Sequence, residues 1–180
     1  MNVILVKHPT DEDWMLCKMC TLTTVGLHSV NPPSEEWKHK ILMARHSPIR
    51  ELKFVFYLED VPYWVAMHLV RHHIGCQPYV RTQRNDRQTA YDRTKAPQDA
   101  PVDMMWSING ESILNIANKR LCAQAAKETR EVVQKMCDQI RESNQEFAPF
   151  LVPMCEYHGG VCQEFKSCGR CPKEGEKKDG

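Results

Sequence analysis

The chain has 180 residues, enough for one domain with a sizeable core, and 42% hydrophobic and 26% charged residues, as in an ordinary soluble protein. Its 24 Lys+Arg against 23 Asp+Glu leave a net charge of +1, which excludes a general electrostatic attraction to nucleic acid or membrane. Any anion site must come from local clustering of Arg and Lys.

The start, Met1 to Lys7, is too short an apolar run for a signal peptide, and Asp11, Glu12 and Asp13 follow soon after. No apolar stretch is long enough for a membrane span. Nine Cys without a secretory signal point to a reducing, cytoplasmic setting, with thiols free or metal-bound.

Asn2 to Val6 reads as a short buried strand. Asp11 to Leu22 reads as a helix, with acidic residues in the first turn where the macrodipole favours them. After the break at Asn31-Pro32-Pro33, Ser34 caps a helix to about Arg45, with Trp37, Ile41 and Leu42 near helical spacing. Leu52 to Leu58 is aromatic and aliphatic and reads as a strand. Asp60-Val61-Pro62 starts a helix to about His73, with Pro where its missing N–H costs little. Residues 74–107 show no period and read as a long, functional loop. Asn109 then caps one long helix, 110–143, with Ile113, Leu114, Ala117, Leu121, Val132, Val133, Met136 and Ile140 as its apolar stripe. From Pro149 the chain is rich in Pro, Gly, Cys and Lys and reads as irregular.

Two motifs carry chemistry. Arg71-His72-His73 ends the third helix, and Arg81, Arg84, Arg87 and Arg93 follow. The planar, permanently charged Arg fork suits phosphate oxygens, as a dinucleotide or nucleotide monophosphate needs. The same residues also read as a solvated face or subunit contact. An RNA- or DNA-binding stretch is a further reading, with only Tyr79 and Tyr91 as interleaved aromatics. In the second motif, Ser112, Asn115 and Lys119 share one side of the later helix, just past Asn109. Arg120 is about one position off that line. The plain alternative is a cap at Asn109 with a surface amide and a surface Arg.

Together these residues resemble the flavin-dependent thymidylate synthase (ThyX) family. Val61 to Arg71-His72 is similar to the run into the family's Arg-His-Arg signature, after a strand holding Phe54 and Phe56 and the turn His46-Ser47-Pro48. Asn109, Asn115, Arg120, Glu128 and Arg130 match the family's later helix at the same spacings. Pro153-x-Cys155, Gly160-x-Cys162-x-Glu164 and Ser167-Cys168-Gly169-Arg170 resemble its C-terminus.

The resemblance implies an α+β fold, a mixed sheet with packed helices. Residues 1–150 would form a flavin- and nucleotide-binding domain, and 151–180 a Cys-rich tail. It implies a homotetramer with shared active sites, partnered by dUMP or a related pyrimidine nucleotide rather than by nucleic acid or membrane. FAD, NADPH and methylenetetrahydrofolate would serve the transfer of a one-carbon unit to C5 of dUMP. Arg71, His72, His73, Asn109 and Asn115 would bind the flavin. Arg81, Arg84, His68 and Arg120 would bind the nucleotide, with Arg120 and Thr82 in catalytic roles. Arg120 would stabilise charge building on the pyrimidine oxygen when C5 acts as nucleophile.

The chain departs from the family in several places. His73 replaces the second Arg of the signature, Glu51 a His, and His68 a Gln. Arg81-Thr82-Gln83-Arg84 resembles an Arg-Ser-Gln-Arg piece but sits one residue farther on. The stretch between the two motifs is about half the family's length, so dUMP methylation and action on another pyrimidine nucleotide both stay open. In the tail, Cys155, His158, Cys162, Cys168 and Cys171 are enough for a zinc site, but free thiols are the expectation and no metal ligand is assigned. Cys76 reads as a small apolar filler, with a redox role as the alternative.

Overall fold

The structure is a computed structural model, and it describes residues 1–88 and 92–175. Tyr91 lies outside the described residues. The strands are β1 (Asn2–Lys7), β2 (Lys53–Pro62), β3 (Cys76–Val80) and β4 (Pro101–Asn109). The helices are α1 (Asp11–Thr23), α2 (Glu35–Met43), α3 (Tyr63–Val70), α4 (Gly110–Arg120), α5 (Lys127–Ser143) and the one-turn α6 (Met154–Tyr157). The α+β class is borne out. The four strands stand in the order β1-β2-β4-β3 and pair antiparallel throughout, so the sheet is not mixed.

Alternation fixes which face of the sheet is buried. Phe54, Phe56 and Leu58 on β2 pair with Ile108, Trp106 and Met104 on β4, and all six are buried. A bulge between Leu58 and Val61 inserts Asp60 at φ +53° and returns Val61 to the buried face, opposite Val102. The helices pack on this face. α5 supplies Val132, Val133, Met136, Cys137 and Ile140, and α3 supplies Val65, Ala66 and Leu69. Burying each large side chain contributes about 1.5–3 kcal/mol before entropy is set against it.

Four readings of the sequence are corrected. β1 is an edge strand with only Val3 buried, and among the described residues no strand pairs with its outer side. Asp60-Val61-Pro62 ends β2 through the bulge, so α3 starts at Tyr63. Residues 74–107 hold β3 and most of β4, because pairing with β2 orders what the local sequence leaves open. The helix expected over 110–143 is two helices, broken at 121–126. The break lets the α4 stripe (Ile113, Leu114, Ala117) and the α5 stripe both reach one core, with the two helices in contact.

Beyond α5 the chain is largely irregular but not detached. Phe147 and Leu151 are fully buried, and Cys155 and Cys162 nearly so. Asn118 of α4 donates from Nδ2 to Val152 O (2.6 Å) and Phe150 O (3.3 Å). No helix among the described residues is long and apolar enough to cross a membrane.

Candidate functional site

The turn after α3 meets the start of α4. Asn109 caps α4 by accepting the Ser112 N–H at Oδ1 (2.9 Å). Ser112 Oγ donates to Ile74 O (2.7 Å), and Asn109 N–H donates to Gly75 O (2.9 Å). Gly75 stands at φ +67°, and a Cβ there would lie 2.3 Å from Asn109 Nδ2 and 2.4 Å from Ser112 Oγ. Only glycine fits that backbone and that approach. This lock presents Arg71, His72 and His73 beside α4.

A cavity of about 330 Å³ results, lined by Arg50, Arg71, His72, His73, Ser112 and Asn115 among others. Arg71 is exposed and has no acidic partner among the described residues, so its charge is available to an anion. Arg50 pairs with Glu111 (Nε–Oε2 2.6 Å), which raises the Arg50 pKa through that hydrogen bond and charge. Cys76 lines the same wall, and burial pushes its thiol up to about 11. It is therefore a protonated, buried thiol rather than a nucleophile.

His72 also opens on a second cavity, of about 250 Å³, with Lys119, Arg120, Cys122, Gln124 and Glu164. The Arg120 Nε–H donates to His72 Nε2 at 2.8 Å. The imidazole must be neutral to accept. Its pKa is lowered to about 4, first by burial and then by the charges of Arg120 and Arg71. Burial and the nearby Arg71 lower the Arg120 pKa as well. The Nη groups of Arg120 have no acceptor among the described residues. Glu164 of the tail reaches this cavity and pairs with Lys119 (3.0 Å).

Other residues singled out in the sequence lie apart. Arg81, Thr82, Arg84 and Arg93 line a third cavity of about 490 Å³ with Tyr63 and Met67. There Arg84 makes a two-pronged pair with Asp86 (2.9 and 2.6 Å), and Thr82 Oγ1 accepts the Arg84 N–H. Arg81 lies 3.7 Å from Asp103. His68 faces α5, hydrogen-bonded with Thr129 Oγ1 (3.4 Å) and edge-on to Trp64, and lines none of these cavities. Asn109 is committed to the cap and is not among the lining side chains. The third cavity shares no lining residue with the first two.

The sequence reading missed three residues. Arg50 and Glu111 carry no local pattern that announces their pairing. Arg45 reaches Asn115 and Asn118 from the turn after α2. All nine Cys are free, and no group of three His, Cys, Asp or Glu among the described residues is placed to hold a metal ion. Burial, followed by the neighbouring Cys171, raises the Cys155 thiol to about 11.

Residues 90–144 match the family model described as thymidylate synthase complementing protein. No curated protein matches the sequence. The fold resembles a ThyX crystal structure from Helicobacter pylori with FAD and dUMP, at TM-score 0.65 and 15% identity, covering 84% of this chain and 99% of that one. It also resembles a UMP/dUMP methylase, PolB, from Streptomyces cacaoi bound with 5-Br dUMP, at TM-score 0.64 and 12% identity, covering 84% and 96%. These findings agree with the resemblance drawn from the motifs.

Proposed function

From a chain whose residues 90–144 match the thymidylate synthase complementing protein model and whose fold resembles that of ThyX, we propose a flavin-dependent enzyme that carries a one-carbon unit to C5 of a pyrimidine nucleotide, dUMP first. The observation that supports this best is the contact of Arg120 with His72, which joins the two motifs across 48 residues. One motif alone is a surface feature; the two together form an anion-receiving cleft with a shared, neutral imidazole.

The donor set suits a flavin dinucleotide. Arg71 and His73 offer charge or hydrogen bonds to phosphate, and Asn115 and Ser112 offer polar groups to a ring edge. A cavity of about 330 Å³ is small for a whole dinucleotide, so part of it would lie along the open mouth at exposed Ile74. When bound, the flavin supplies the redox and one-carbon chemistry, with NADPH as reductant and methylenetetrahydrofolate as carbon donor. The chain's own work is placement and charge. Arg120, oriented at Nε by His72, directs its Nη groups at the developing negative charge on the pyrimidine oxygen. Because His72 is neutral at physiological pH, it neither competes with Arg120 for the anion nor repels it.

Arg81, Thr82 and Arg84 would serve the nucleotide from a neighbouring copy in a homotetramer with shared sites, since within one chain they line a separate cavity. A cytoplasmic setting accords with nine free thiols. The test is direct: purified protein with FAD, NADPH, methylenetetrahydrofolate and dUMP forms dTMP. Absence of dTMP removes the dUMP reading.

A second reading, action on a related pyrimidine nucleotide, is favoured by the likeness to PolB, described as a UMP/dUMP methylase, and by the short stretch between the motifs. Turnover of UMP without turnover of dUMP selects it.

A further inference from the structure

Arg45 occupies a backbone position that sequence statistics reserve for glycine. Helix α2 ends with the Arg45 N–H donating to Leu42 O (3.1 Å) and the His46 N–H to Ile41 O (3.2 Å). This is the paired hydrogen-bond closure of a helix C-terminus, and its central residue is left-handed, here φ +48°. Gly adopts that conformation without strain, whereas Arg does not. The side chain therefore gives the reason for Arg here.

That side chain is held on three sides. Its Nη1 donates to Asn115 Oδ1 and its Nη2 to Asn118 Oδ1. The guanidinium lies over the Tyr157 ring, 4.6 Å from its centroid, and Tyr157 Oη donates to Met43 O (3.2 Å). Asn118 is fully buried, and its Nδ2 is already spent on Val152 O and Phe150 O. Its amide has one orientation, which fixes the Arg45 fork.

The polarity of Asn115 follows by chemistry. A guanidinium has donors and no acceptor, so the atom of Asn115 that meets it must be the carbonyl oxygen. The Nδ2 group is then the end left for the cavity, which Asn115 lines and where it is exposed. We infer that Arg45 is a positioning residue that locks Asn115 as a hydrogen-bond donor, so that this cavity selects ligands presenting an acceptor, such as a ring carbonyl oxygen or an unprotonated ring nitrogen, at that point. The choice of a flavin ring as that ligand rests on the proposed function; the amide polarity does not.

Three variants test it: Arg45→Gly, Asn115→Asp and Asn115→Gln. Arg45→Gly relieves the left-handed strain, which offsets part of the cost of the lost Asn118 and Tyr157 contacts, and a purely structural Arg45 predicts unchanged ligand binding in the folded variant. FAD affinity is read by quenching of flavin fluorescence. The expected result is roughly a tenfold or greater loss for Arg45→Gly, in line with losing about one well-placed hydrogen bond. Asn115→Asp keeps the Arg45 contact but has no donor, and is expected to lose at least as much. Asn115→Gln keeps an amide and is expected to bind better than Asn115→Asp. The side-chain amide 1H–15N spectrum of the ligand-free protein gives a second readout, with the Asn115 pair identified by its absence in Asn115→Asp. That pair is expected to shift in Arg45→Gly. Wild-type affinity in Asn115→Asp, or an unmoved Asn115 pair in Arg45→Gly, overturns the inference. If wild-type protein does not bind FAD, the flavin reading fails, and the amide spectrum still decides whether Arg45 sets the amide.

Discussion

The Arg120 guanidinium donates its Nε–H to Nε2 of His72 across 2.8 Å, so a residue at the end of one helix is oriented by a neutral imidazole from the turn after another. The folded His72 pKa, about 4, lies below its ordinary value near 6.5. The folded state therefore resists protonation more than the unfolded chain does. His72's contribution to stability is complete above about pH 6.5 and is lost as pH falls toward 4. An NMR titration of the imidazole checks this: no His72 transition is expected between pH 6 and 8. In Arg120→Ala the transition should move up, because one positive neighbour is gone. It should not reach the ordinary value, because burial is the larger cause.

The proposed function gives Arg120 a role in turnover. Replacing it with Ala should lower kcat/KM for the pyrimidine nucleotide by about 10²–10³-fold, the usual loss when a charge-stabilising donor is removed. Steady-state kinetics on Arg120→Ala and Arg120→Lys would measure it. Lys should recover only part of the loss, since a single ammonium cannot both bond His72 and present a fork.

Gly75→Ala should destabilise the fold by about 1–3 kcal/mol, through a left-handed φ and a forced retreat of Asn109 and Ser112. Asn109→Ala alone should cost about 1 kcal/mol by loss of the cap. The double variant should cost less than the sum, because removing the Asn109 amide relieves the closer of the two clashes. Urea denaturation of the three variants measures the coupling.

Phe147, past the end of α5, is fully buried and edge-on to Phe54 at 5.1 Å. Phe147→Ala should cost about 3–5 kcal/mol, by lost burial and the cavity left behind. A melting temperature near wild type would show that this segment does not belong to the core.

Local chemistry wrote parts of this fold into the sequence. Ser34 and Asn109 are side chains that satisfy a helix start by themselves, and both cap as expected. The β2 strand and α1 were legible because their patterns are local. Val102, Met104, Trp106 and Ile108 alternate too, but the irregular residues before them hide the strand, and only pairing with β2 reveals it. β3 has Pro78 and Gln77 inside it and exists as an edge of that pairing. The signature and α4 residues were recognised as two groups, and the structure brings them into contact. The Arg81–Arg84 group was expected with them, yet a separate cavity receives it. Arg45 escaped notice because its reason for being there is three-dimensional.

The break between α4 and α5 has an electrostatic consequence. Arg120 is the last residue of α4, with Lys119 beside it in the final turn. Backbone carbonyls with no partner further along the helix gather partial negative charge at such an end, and a cation there gains about 0.3–1 kcal/mol or more when partly buried. Had the helix run on to residue 143, Arg120 would lie in its middle, where that field vanishes. The interruption thus offsets some of the burial that disfavours the Arg120 cation, and places that cation in a field it would lack in mid-helix.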